Sequence, residues 1–129
     1  MHTSVFAIAP DHQACVAHLH QAGFQADEIS MLAAGAQRLA IADDGEDTAW
    51  LPVVGTVRAY GPLAKLLHGG QSLIARLSEL GVPAYAALRY EDALARGDAV
   101  VAVHTANGYE IDMVAALLRD GGCDHVAAA

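Results

Sequence analysis

Basic side chains are scarce here: seven Lys and Arg stand against fifteen Asp and Glu, for a formal net charge of −8. They are scattered from Arg38 to Arg119 and form no stripe. Holding a phosphate backbone takes clustered cations that displace its counterions, so nucleic acid and anionic membrane are disfavoured partners. Cysteine is nearly absent. Cys15 and Cys123 make no disulfide framework, and no Cys-x-x-Cys spacing offers a metal or redox motif. Both read as small buried hydrophobes in a reducing compartment. No basic, apolar and small-residue succession opens the sequence. The longest markedly apolar uncharged run, 48–57, is about half of a membrane span. A cytoplasmic location and no membrane contact are the expectations.

Catalytic signatures are missing too. Ser4, Ser30, Ser72 and Ser78 lack the Gly-x-Ser-x-Gly surroundings of a nucleophile elbow. Gly61-Pro62 and Gly69-Gly70 match neither a P-loop nor a dinucleotide fingerprint. Trp50, Tyr60, Tyr85 and Tyr90 have no spacing suited to stacking bases and read as core or interface packing. No catalytic residue and no cofactor are assigned.

What the chain does have is a repeat. Near its start, Ser4–Ala9 reads as a strand, 11–22 as a helix and 28–33 as a second strand. Near its end, Ala99–His104, 107–120 and 123–128 follow the same order. Both helices stop at glycine, at Gly23 and at Gly121-Gly122. Asp11 is placed to cap the first helix. Asn107 and Glu110 have capping-box spacing at the start of the second, where Ile111, Val114, Ala115 and Leu118 recur at helical intervals. A length of 129 residues fits one α+β domain, residues 1–129.

Between the two units, Leu39-Ala40-Ile41 and residues 51–60 suggest two antiparallel strands. The acidic run 42–48 joins them as a solvated tip, since it lacks the full calcium-loop pattern. Three short helices then follow, opened by Pro62, by Gln71 or Ser72, and by Pro83, and closed by Gly69-Gly70, Gly81 and Gly97.

The middle segment carries a resemblance. Leu51-Pro52-Val53-Val54-Gly55-Thr56-Val57-Arg58-Ala59-Tyr60-Gly61-Pro62-Leu63 is followed by Gly81-Val82-Pro83, then Tyr90-Glu91-Asp92-Ala93-Leu94-Ala95-Arg96-Gly97 and Val100-Val101-Ala102-Val103-His104. With the opening strand and Gly23-Phe24 through Ile29-Ser30, these runs resemble a family of small bacterial general-stress (heat-induced) proteins. The resemblance implies a compact α+β domain of the bacterial cytoplasm linked with stress, and it brings no established reaction or catalytic residue. Many relatives carry a long Gly/Ala-rich apolar insert, which Arg58, Lys65 and Arg76 interrupt here.

Seven histidines raise the question of a metal. His18 and His20 diverge on a helix and read as solvated surface. Parallel central strands would set His104 beside Asp11 and His12, where two imidazoles and a carboxylate make a speculative site for a small ligand or a metal ion. A capping Asp with exposed histidines is the plainer alternative. The expected fold is a ferredoxin-like sandwich built from two βαβ-type units, with extra helices inserted between them and helices on one face of a mainly antiparallel sheet. The uncovered edge or face implies a homodimer. Two functions stay open: a non-enzymatic stress-associated protein acting by self-association or partner binding, and a small-molecule or metal-binding regulatory domain.

Overall fold

A computed structural model describes residues 4–25, 28–34, 47–51, 54–60, 72–105 and 111–128. The elements, in chain order, are β1 (Ser4–Ala9), α1 (His12–Gln21), β2 (Ile29–Ala34), β3 (Asp47–Leu51), β4 (Gly55–Tyr60), α2 (Leu73–Glu79), α3 (Ala84–Arg96), β5 (Ala99–His104), α4 (Ile111–Asp120) and β6 (Asp124–Ala128). The strands form one six-stranded sheet in the order β3-β4-β2-β5-β1-β6, antiparallel at every pairing.

The two terminal units are both present, as β1-α1-β2 and β5-α4-β6, and their first strands pair at the centre. The pairing is antiparallel, from Ser4 opposite His104 to Ala9 opposite Ala99, in keeping with the mainly antiparallel sheet expected but without the parallel centre on which the grouping of His104 with Asp11 and His12 depended. The reason lies in how the units interlock. β5 sits between β1 and β2 and opposes both, so β1 and β2 point the same way with a gap that only a reversed strand fills. The order is not strictly that of a ferredoxin-like sandwich, because the β3–β4 hairpin extends the sheet beyond β2.

Helices cover both faces rather than one. Val5, Ala7, Met31, Val101 and Val103 pack with Cys15 and Leu19 of α1 and with Val114 and Leu118 of α4. Phe6, Ile8, Leu32, Val100 and Ala102 face the other way, against Leu73 and Leu77 of α2 and Tyr90 and Leu94 of α3. The two terminal helices therefore share a face, while the inserted helices take the opposite one. The sequence accounts for this. β1 and β5 read Ser-Val-Phe-Ala-Ile-Ala and Ala-Val-Val-Ala-Val-His, apolar at successive rather than alternate positions, which is the pattern of strands buried on both sides. Among the described residues, β1 and β5 are covered on both sides.

Local signals fix the helix ends. Asp11 accepts from the Ala14 amide at 3.2 Å, and Ser72 accepts from the Ala75 amide at 3.2 Å, each satisfying an amide that has no partner inside its helix. Gly97 ends α3 at φ 99°, a left-handed conformation that glycine adopts without strain. The strand expected over 51–60 is interrupted: Leu51 pairs with Gly55, and a turn separates β3 from β4. Asp47 and Thr48, expected in the acidic tip, belong to β3. The strand 39–41, the rest of the tip, the helix behind Pro62 and the cap at Asn107 lie outside the described residues.

Tyr90 fastens α3 to the sheet. Its ring stacks on Phe6 with centroids 6.1 Å apart, and its hydroxyl stands 2.6 Å from the His125 carbonyl and 3.0 Å from that of Phe6. The β1–β6 register slips between Phe6 and Ile8, and His125 adopts φ 52°. The hydroxyl proton thus reaches carbonyls at an irregularity that interrupts the ladder. Burial, with a smaller contribution from Tyr85, pushes the phenol pKa up, so Tyr90 stays protonated and donates.

Candidate functional site

Antiparallel pairing determines what His104 meets. As the last residue of β5 it lies opposite Ser4, the first residue of β1. Across the other edge of β5, Ser30 of β2 opposes Ala102, diagonal to His104. Strand alternation puts Ser4 with Phe6, Ser30 with Leu32 and His104 with Ala102, all on the face covered by α3. The three side chains meet there. Ser30 Oγ is 2.6 Å from His104 Nε2, and Ser4 Oγ is 3.0 Å from His104 Nδ1.

Ser30 is fully buried and His104 partly so. Burial holds the His104 pKa below its usual 6.5, favouring the neutral ring at neutral pH. A neutral imidazole has one N–H donor and one bare nitrogen. One serine hydroxyl therefore accepts from the ring while the other donates to it, and the tautomer decides which. A serine donating to imidazole is half of a nucleophile–base pair. Here the second ring nitrogen meets a hydroxyl rather than a carboxylate, so no negative charge orients the ring or steadies an imidazolium as a triad's acid does. Both ring nitrogens are engaged by hydroxyls, so the cluster is poorly suited to acyl transfer.

The grouping of Asp11, His12 and His104 is not brought together. Ala9 and Ala99 mark one end of the β1–β5 pair and Ser4 and His104 the other, a span of about 17 Å at roughly 3.3 Å per residue. Asp11 and the backbone of His12 lie just past Ala9, at the end away from His104. Asp11 caps α1 instead. Among the described residues no three His, Cys, Asp or Glu side chains are grouped to hold a metal ion. His20 is exposed and bonds the Phe24 carbonyl through Nδ1 at 3.0 Å. His18, expected on the surface, has a buried Nε2 with no hydrogen-bond partner among the described residues.

Sequence reasoning had His104 but gave it the wrong neighbours, and it passed over Ser4 and Ser30 for want of an elbow motif. The usable signal was positional: a serine opens the first strand and a histidine closes its later copy, and antiparallel pairing sets such residues face to face. The cysteines are buried and free, as expected, but their contact was not foreseen. Cys15 on α1 and Cys123 ahead of β6 stand with their sulfurs 2.9 Å apart, both buried as free thiols.

Fold and cluster together define an antiparallel α+β domain, helical on both faces, with one Ser–His–Ser contact at the end of its central strands. No known protein family matches the chain, and neither does any curated protein or solved structure.

Proposed function

We propose that this chain is a non-enzymatic, stress-associated protein of the bacterial cytoplasm that acts by self-association, as a homodimer, or by binding another protein. The observation that carries the reading is on α3. Tyr85 is 71% exposed and Leu88 51% exposed, three residues apart and so adjacent on one helical surface. Large apolar side chains held in water side by side favour a protein partner. Among the described residues β6 ends the strand order, and its outer edge is a second surface for pairing. The finer fold reading, a ferredoxin-like core, is supported by the order β6-β1-β5-β2 with its alternating directions, the β3–β4 hairpin being an addition. Light scattering at micromolar concentration tests the proposal: the wild-type chain should run as a dimer and Tyr85→Lys with Leu88→Glu as a monomer. A monomeric wild type would defeat the self-association arm.

A second reading, a small-molecule-binding regulatory domain, draws on the Ser4–His104–Ser30 cluster. A thermal-shift screen of polar metabolites separates the two. A stabilising ligand whose effect disappears in Ser30→Ala and His104→Ala favours this one.

A further inference from the structure

The geometry points to an oxidative modification site outside both readings: Cys15 and Cys123 close into an intramolecular disulfide when the protein meets a small peroxide. The sulfurs lie 2.9 Å apart, against about 2.05 Å in a disulfide, so bonding needs less than about an ångström of approach. The partners are 108 positions apart in sequence, and only the docking of α1 beside the α4–β6 turn unites them. Both belong to the same apolar core, Cys15 at 1% exposed and Cys123 at 6%.

That burial selects the oxidant. A bulky disulfide such as oxidised glutathione has no room to form a mixed disulfide there, whereas hydrogen peroxide is little larger than water. The exposed residues on either side of Cys123, Gly122 in the turn and Asp124 at the start of β6, put this part of the pair nearest solvent. The chemistry is favoured at Cys15. The Cys123 thiol donates its hydrogen to the Cys15 sulfur, an interaction that lowers the Cys15 pKa and raises that of Cys123. One partner is thereby the better thiolate and the other its hydrogen-bonded reserve, the division of labour that dithiol oxidation requires.

The steps balance. Cys15 thiolate attacks one peroxide oxygen; an S–O bond forms, the O–O bond breaks, and the departing hydroxide takes up the proton Cys15 had lost, leaving as water. The Cys123 sulfur then attacks the sulfenic sulfur; the S–S bond forms, the S–O bond breaks, and the hydroxyl leaves with the Cys123 proton as a second water. Two electrons pass from the thiols to the peroxide. The product fastens α1 to the strand at the sheet edge and closes a loop over most of the chain, a strong restriction of the unfolded state.

Treating the full reduced chain with hydrogen peroxide tests this. Expected are a mass loss of two hydrogen atoms, a single cross-linked peptide joining residues 15 and 123, loss of both titratable thiols in denaturant, and a Tm raised by several degrees that dithiothreitol reverses. Cys15→Ala and Cys123→Ala should each abolish the cross-link and the rise. The wild-type mass reading stands even where a variant fails to fold. Two thiols still titratable after peroxide, added oxygen atoms in place of lost hydrogens, or cysteine-linked dimers would each overturn the proposal.

Discussion

The two faces of the sheet are built differently although the same strands supply both. On the side of α2 and α3, Phe6, Leu32, Leu77, Leu94 and Tyr90 fill the core, and a phenol fastens the helix layer by reaching two strand carbonyls. On the side of α1 and α4, alanine, valine and two thiols occupy much of the layer around Leu19, Met31 and Phe24. The first face is secured by a hydrogen bond that needs no chemistry. The second holds two sulfurs at a contact distance that chemistry could convert to a bond. The polar cluster of Ser4, Ser30 and His104 lies on the first face, the thiol pair on the second, and the sheet keeps them apart. A domain of this size can thus carry two separate sites because both sides of its sheet are lined by helices.

Removing Tyr90 is the most damaging way to break that contrast. Tyr90→Ala should cost about 4 kcal/mol or more in urea unfolding, through the cavity and the orphaned carbonyls. Tyr90→Phe keeps the ring and should lose about 1–2 kcal/mol; equal losses in the two variants would mean the hydroxyl rather than the ring carries the face. Matched truncations come next. Leu77→Ala on one face and Leu118→Ala on the other should each cost about 3 kcal/mol. Their double mutant should equal the sum to within about 0.5 kcal/mol, since the sheet separates the sites. A large coupling between them would deny that the faces are independent.

Smaller effects come from two groups on the α2–α3 side of the molecule or at its sheet end. Glu91 of α3 is 5% exposed and its Oε2 has no hydrogen-bond partner among the described residues. Desolvation, and then Asp92, raise its pKa above the usual 4.5. The folded state therefore holds this proton more tightly than the unfolded chain, and stability from this group falls as pH climbs from 4.5 toward the folded value. Glu91→Gln should flatten that fall and raise stability at neutral pH by about 1 kcal/mol. His104 acts oppositely. Its folded pKa lies below 6.5, so its contribution is present above 6.5 and is lost as pH drops through the lower folded value. His104→Gln should remove only this second slope, readable as the urea midpoint followed from neutral to acid pH.

Much of this architecture was readable in advance, and the failures have physical causes. The unbroken apolar runs at Ser4–Ala9 and Ala99–His104 announce two central strands, and Asp11, Ser72, Gly23 and Gly97 mark helix ends by side-chain capping and positive φ. Those same runs also say that both faces are covered, a consequence missed when a one-sided sandwich was expected. Strand direction left no trace in composition or periodicity, because it depends on how two distant units interlock. Every site contact inherits that dependence. Ser4 and His104 are 100 positions apart and Cys15 and Cys123 are 108 apart, so neither pair is visible until the direction of β1 against β5 is known.

The direction of that pairing is the claim on which the rest stands, and engineered cross-linking measures it. In a Cys15→Ala, Cys123→Ala background, Ser4→Cys with His104→Cys should form a disulfide rapidly under mild oxidation, because the two residues are direct antiparallel partners. Asp11→Cys with His104→Cys should form none. The reverse outcome, a bond between 11 and 104 and none between 4 and 104, would contradict the antiparallel centre and dissolve the Ser4–His104–Ser30 contact.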